Sequence, residues 1–203
     1  TEAKATVNMY GCDNTSIQYV YGGGNAASVP ASEVTVHGCY EIGYVFGGGN
    51  GKDKLPNGQE NPGANVGYYT YEYNGQTGEV TSGTPQPQPY GTGEAAVNLY
   101  GGCIHSAFGG SNTKGNVRKA AVAFLDELDA VQCPLLIDDV YGGGNEAYME
   151  GNAQIKLGCI TSLAVIYGGS KRANVGGDIV LNITSGHFNR IFGGNNESGL
   201  ING

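Results

Sequence analysis

The chain has no tryptophan, two methionines, three histidines and only ten lysines and arginines together. Against those ten stand 18 acidic residues, a formal net charge of −8, and no Lys/Arg run. A phosphate-neutralising face is therefore missing, which argues against nucleic acid and against an anionic membrane surface as partners. No stretch approaches the ~20 apolar residues of a membrane span, and no signal peptide is visible. Seven prolines and glycines without a three-residue period exclude collagen. Charged residues are 14% while hydrophobic ones are 39%, which excludes a highly charged disordered chain. No CxxC pair is written, so a zinc site is not expected.

What is abundant is glycine, 37 of 203 residues, far above the usual ~7%. It recurs in near-identical strings: IQYVYGGGN, IGYVFGGGN, IHSAFGGSN, IDDVYGGGN, LAVIYGGSK and FNRIFGGNN. Their first glycines are Gly22, Gly47, Gly109, Gly142, Gly168 and Gly193, spaced 25, 62, 33, 26 and 25 residues apart. Five places earlier stand Ile17, Ile42, Ile104, Ile137, Leu163 and Phe188. Two places earlier stand Val20, Val45, Ala107, Val140, Ile166 and Ile191. One place earlier stand Tyr21, Phe46, Phe108, Tyr141, Tyr167 and Phe192. Six matches at each of three positions establish a repeat of 25–26 residues.

Ahead of each string lies an alternating apolar segment: TVNMYGC, VTVHGC, VNLYGGC, QIKLGC and IVLNITSG, with AAVAFL at 120–125 as the candidate in the fourth unit. Period-two alternation with β-branched residues predicts strands. Such a unit cannot bury its apolar face alone and must stack on its neighbours. The expected fold is all-β: a single-stranded, right-handed parallel β-helix of about six rungs, each rising about 4.8 Å, with two insertions. A β-propeller blade needs ~40–45 residues, and a leucine-rich horseshoe needs a Leu series that is absent.

The [VI]-[YF]-G-G-[GS]-N string after an alternating strand resembles the Gly-rich β-helix repeats of large bacterial cell-surface and adhesin-like proteins. The resemblance implies an extracellular or cell-surface protein and transfers no catalytic residue and no cofactor. The opening TEAKATVNMY lacks an initiator Met, and the closing NNESGLING leaves room for another repeat. The chain 1–203 is therefore read as one domain that is a section of a longer protein.

In a stacked repeat, equivalent positions form columns. The Gly-Gly pair is expected to adopt φ > 0 and make a tight corner. A phosphate-binding loop is disfavoured because no helix follows it. Asn25, Asn50, Asn112, Asn145 and Asn196 are expected to bond amide to amide, with Lys171 breaking the row; the units are too long and too poor in Asp for a Ca²⁺ ladder. The Tyr/Phe column reads either as stacked rings at the edge of the core or as an outer strip for sugar stacking. Cys12, Cys39, Cys103, Cys133 and Cys159 read as a small apolar inward row, with one or two cross-rung disulfides within geometric reach.

The insertion 51–93 carries YYTYEYNGQTGEV, a hairpin pattern turning at Asn74-Gly75. Tyr68, Tyr69, Tyr71 and Tyr73 cluster on it and Tyr90 stands at its exit, an aromatic surface for a glycan or protein, or a cover for the flank. The second insertion, 115–132, is expected to pack on the rod. One polar group could carry chemistry: His105 and Asp138 share a column, and Ser106 and Asp139 share the next. A Ser, a His and two Asp invite a hydrolase reading, weakened because adjacent strand residues point to opposite faces. The leading expectation is a non-catalytic rigid scaffold presenting a Tyr-rich loop for adhesion or glycan binding. The alternatives are a polysaccharide lyase or glycoside hydrolase, and a purely structural stalk. No metal or cofactor is expected, and partners are a glycan or surface protein plus neighbouring repeats. An uncapped end would expose an unpaired edge and favour end-to-end association.

Overall fold

The structure, a computed structural model, describes residues 3–11, 15–68, 89–127, 133–160 and 164–202. Among these it is all-β and contains two parallel sheets of six strands. Each repeat contributes one strand to each sheet. The first sheet holds β1 (Ala5–Tyr10), β3 (Ser32–His37), β5 (Glu94–Leu99), β7 (Ala120–Leu125), β9 (Asn152–Leu157) and β11 (Ile179–Ile183) in that spatial order. The second holds β2 (Thr15–Tyr21), β4 (Tyr40–Phe46), β6 (Gly102–Phe108), β8 (Leu135–Tyr141), β10 (Ala164–Tyr167) and β12 (Phe188–Phe192). Ala120–Leu125, within the stretch read as the second insertion, is thus a regular strand; the extra length of that repeat falls between β7 and β8.

The register follows the sequence columns. Val7, Val34, Val97, Ala123, Ile155 and Leu181 align across the first sheet. Val20, Val45, Ala107, Val140, Ile166 and Ile191 align across the second. These two rows face one another in one core, where Val34, Val97, Val45 and Val140 have no exposed surface. Each buried Val or Ile contributes about 1.5–3 kcal/mol, so a strand slipped by one residue would turn its whole apolar set outward. A third line of isolated parallel bridges joins Val29 to Val66, Val66 to Val117, Met149 to Val175 and Val175 to Ile201. It borders a second, smaller core with Ala95, Ala121 and Ala153.

The glycine pairs correct the sequence expectation. None of Gly22, Gly47, Gly109, Gly142, Gly168 or Gly193 is among the positive-φ glycines. Their reason is contact across repeats. A Cβ on Gly22 would lie 2.4 Å from the Gly47 carbonyl oxygen, and on Gly47 2.3 Å from that of Gly109. The same holds for Gly109 against Gly142, at 2.4 Å, and Gly142 against Gly168, at 2.1 Å. Only hydrogen fits there. The close approach lets each glycine N–H donate to the next repeat: Gly22 to Phe46 O, Gly47 to Phe108 O, Gly109 to Tyr141 O, Gly142 to Tyr167 O and Gly168 to Phe192 O, at 2.8–3.0 Å.

The asparagines form the expected ladder. Asn50 Nδ2 donates to Asn25 Oδ1 at 2.8 Å, Asn112 to Asn50 at 2.9 Å, and Asn145 to Asn112 at 2.9 Å. Buried amides left unpaired would each cost about 1–3 kcal/mol, and the ladder avoids that cost.

The cysteines correct a second expectation. Cys39 and Cys133 form a disulfide, Cα–Cα 5.1 Å, but they belong to repeats separated by a third. The intervening corner is built from Gly101 and Gly102. A Cβ on Gly101 would lie 2.7 Å from the Cys133 carbonyl oxygen, so this corner must be glycine for its neighbours to meet over it. Cys103 and Cys159 are free and exposed rather than inward, because Cys103 aligns with the outward Glu41 and Leu136. Cys12 lies outside the described residues.

Candidate functional site

The outer face of the second sheet is where chemistry-bearing side chains gather. Its strands alternate in the ordinary way up to the Ile17/Ile42/Ile104/Ile137 column. Beyond it two successive residues leave the core, and the second row of apolar contacts resumes at Val20/Val45/Ala107/Val140. Gln18, Gly43, His105 and Asp138 occupy this break, followed by Tyr19, Tyr44, Ser106 and Asp139. Gly43 lowers the floor: a Cβ there would lie 2.6 Å from the Gln18 carbonyl oxygen and side chain.

Two adjoining recesses of ≈ 400 and ≈ 450 Å³ result, sharing Ser16, Glu41, Cys103 and Leu136. One is walled by the Cys39–Cys133 corner and Tyr40, the other by His105 and Asp138. His105 Nδ1 and Asp138 Oδ2 are 2.7 Å apart, with side chains 56% and 73% exposed. The Tyr44 ring meets the imidazole edge-on at 5.5 Å.

The four residues singled out by sequence are thus brought together, as two pairs. Ser106 is 3% exposed and hydrogen-bonds Asp139. Burial pushes the Asp139 carboxyl above the usual carboxylate range, opposed by the Ser106 hydrogen bond and by the charges of His105 and Lys171. Asp139 Oδ1 is buried without a hydrogen-bond partner among the described residues. The serine is therefore buried against a carboxylate while the imidazole is held outside by a different one. That division does not make a nucleophile–base pair, which needs the two within reach of one substrate. Cys103, free and exposed, lines both recesses and is the side chain that sequence reasoning left out of this site. Its position two residues before His105 on the same strand was the available signal.

The aromatic column occupies the edge of the core. Tyr21, Phe46, Phe108, Tyr141, Tyr167 and Phe192 stack with centroid spacings of 5.1, 4.7, 4.6, 4.9 and 5.1 Å and interplanar angles of 5–13°. Phe46, Phe108 and Tyr141 are buried. Each interior ring spends both faces on its neighbours, so the sugar-stacking strip is not available along this column. The hydroxyls are met by the amides: Asn112 Nδ2 donates to Tyr21 Oη at 3.3 Å and Asn196 Nδ2 to Tyr141 Oη at 3.0 Å. Burial pushes Tyr21 up to about 12 and Tyr141 higher still.

The insertion is anchored at both feet. Tyr68 bridges Pro89 in antiparallel fashion, and Tyr90 N–H donates to Gly67 O at 2.8 Å. Tyr68 Oη donates to Glu150 Oε1 at 2.9 Å, and the Arg118 guanidinium lies 5.7 Å from its ring centroid. Burial, then the Glu150 hydrogen bond, raise the Tyr68 hydroxyl above its ordinary value. Arg118 Nε also donates to Gly67 O at 2.9 Å. Tyr68 is therefore a clasp between insertion and scaffold. Tyr69, Tyr71 and Tyr73 lie outside the described residues.

Among the described residues, no three His, Cys, Asp or Glu side chains cluster as metal ligands, and no helix is long and apolar enough to cross a membrane. Compared with known protein families, curated proteins and solved structures, the chain finds no match.

Proposed function

We propose that the two sheets belong to one right-handed parallel β-helix that serves as a rigid, non-catalytic scaffold, as in the Gly-rich surface proteins it resembles. On this reading the chain acts outside the cell and presents the insertion rooted at Tyr68 and Pro89 to a glycan or a surface protein. The observation that carries it is how the repeat groups are used. Ring faces ring, amide bonds amide, and glycine meets carbonyl, so the repeat keeps little for a ligand. The insertion departs from that pattern, and its described ends are held by the Tyr68–Pro89 bridge and the Tyr68–Glu150 bond. The Cys39–Cys133 bridge favours an oxidising compartment.

The test is a panel of polysaccharides and mucin-type glycans, scored for retention and for released products. The intact chain is run beside one in which residues 69–88 are replaced by a short Gly-Ser link. Retention without products, lost on replacement, is the expected result. A second reading, polysaccharide cleavage, draws on the His105–Asp138 pair beside a recess of ≈ 450 Å³. New reducing or unsaturated ends that vanish in His105→Ala would establish it and overturn the first.

A further inference from the structure

The ring column carries a hydroxyl at Tyr21 and Tyr141 and none at Phe46 and Phe108. Each of those hydroxyls meets an amide two repeats further on: Asn112 for Tyr21 at 3.3 Å, and Asn196 for Tyr141 at 3.0 Å. The same step leads from Phe46 to Asn145 and from Phe108 to Lys171. At these two places a phenyl edge, which accepts no hydrogen bond, stands where the repeat elsewhere supplies an oxygen. Phe46, Phe108, Asn145 and Lys171 line one recess of ≈ 170 Å³. We propose that this recess binds a small oxyanion, a carboxylate or a sulfate group, whose oxygens supply those acceptors. The inference is independent of the glycan reading, which concerns residues 69–88 and their root at Tyr68.

The hydrogen-bonding groups of the recess are donors. A side-chain amide nitrogen has two N–H bonds. At Asn112 that nitrogen serves both the ladder, through Asn50, and the Tyr21 hydroxyl. Asn145 Nδ2 likewise serves the ladder through Asn112 at 2.9 Å, and by the repeat's own geometry its second N–H is directed at the Phe46 ring edge. Lys171 stands where the other repeats place Asn, and an ammonium group can only donate. Its side chain is 28% exposed, and the Glu197 carboxylate lies 3.8 Å away, too far for a hydrogen bond.

Charge points the same way. Lys52 and Arg172 line the same recess. Three of the ten Lys and Arg side chains therefore converge on one small space in a chain with 18 acidic residues. Among the described residues no carboxylate lines it. Glu146 and Glu197 hold Arg172 from outside that lining, at 3.3 and 3.4 Å, and a guanidinium with five N–H donors keeps others for a ligand. Tyr19 and Tyr44, stacked at 5.2 Å, close one side. The space is smaller than the ~300–1,000 Å³ of a site that encloses a whole organic ligand, so it takes the charged group and leaves the carrier outside.

An NMR titration resolved by residue tests the inference, with chloride holding the ionic strength constant. The probes are sodium sulfate, sodium galacturonate and uncharged galactose. The Asn145 side-chain NH2 and the Lys171 amide are expected to shift saturably with an anion and not with galactose. Saturation by galacturonate alone assigns the site to carboxylates, by sulfate alone to sulfate groups, and either supports it. Phe46→Tyr and Phe108→Tyr return a hydroxyl to a column that already holds Tyr21 and Tyr141. Both should keep the wild-type melting temperature and bind the anion about tenfold or more weakly, because the new oxygen occupies the acceptor's place. Lys171→Asn, which continues the ladder, is expected to abolish saturation and keeps the test decisive if a tyrosine variant folds poorly. Shifts that do not saturate with either anion would overturn the inference. So would an equal response to galactose, or an anion affinity unchanged in Lys171→Asn and in the folded tyrosine variants.

Discussion

Replacing the first glycine of a repeat by alanine separates two explanations for its presence. If the glycines serve backbone conformation, Gly109→Ala and Gly193→Ala should cost alike, because they hold the same place in the same string. If they serve contact, the two must differ. A Cβ on Gly109 would sit 2.4 Å from Gly142 O and 3.3 Å from Ala121 Cβ. Relieving the first contact needs a displacement of about 0.8 Å or more, comparable to the gaps that forfeit much of a dispersion well. That displacement strains the Gly109 N–H to Tyr141 O bond of 2.9 Å. Overpacking of this kind costs about 1–3 kcal/mol, and a weakened ladder bond adds about 1 kcal/mol, so the loss should be about 2–4 kcal/mol. Gly193→Ala meets nothing and should gain about 0.4–1 kcal/mol by restricting the unfolded chain. Urea denaturation of both variants reads the difference as a shift in midpoint at constant slope. Equal losses in the two variants would refute the contact argument.

Other outcomes follow from the same geometry. Asn112→Leu removes both ladder bonds and the Tyr21 partner and should lower stability by about 2–3 kcal/mol in the same assay. Asp139 has a raised carboxyl because of burial; a raised folded pKa means its stabilising contribution is present at low pH and is lost as pH rises through that value. Asp139→Asn should therefore raise the melting temperature at pH 7 and remove the fall in stability that sets in as pH rises out of the ordinary carboxylate range; a lower melting temperature at pH 7 would count against the burial assignment. Reduction of Cys39–Cys133, which closes a loop of sequence separation 94, should cost about 2–5 kcal/mol. Peptide mapping after alkylation without reductant should find Cys103 and Cys159 labelled and Cys39 and Cys133 protected.

Much of the architecture is legible because a repeat prints its own register. Counting back from the glycine pair places Ser106 beside Asp139 and His105 beside Asp138, as the sheet pairing and the 2.7 Å contact bear out. It also locates the Asn ladder and the strand at 120–125. The glycine conformation is not legible, since periodicity says that a position is small without saying what lies opposite it. The G-C string misleads for the cysteines, because it groups them by their neighbour rather than by distance from the glycine pair. From that pair Cys39, Cys103, Cys133 and Cys159 lie 8, 6, 9 and 9 places back, so they do not form one row. The Gly-Gly at 101–102 moves Cys103 into the strand, outward, and opens the corner that the Cys39–Cys133 bridge crosses. Burial of Ser106 is beyond sequence because it depends on Tyr44 and Asp139 in neighbouring repeats.

The first glycine of a string serves the contact between one repeat and the next. Residue-resolved amide hydrogen exchange tests this most directly. The amides of Gly22, Gly47, Gly109, Gly142 and Gly168, each donated to the following repeat, should exchange slowly and at similar rates, while Gly193 exchanges fast. Uniform loop-like exchange across all six would contradict it.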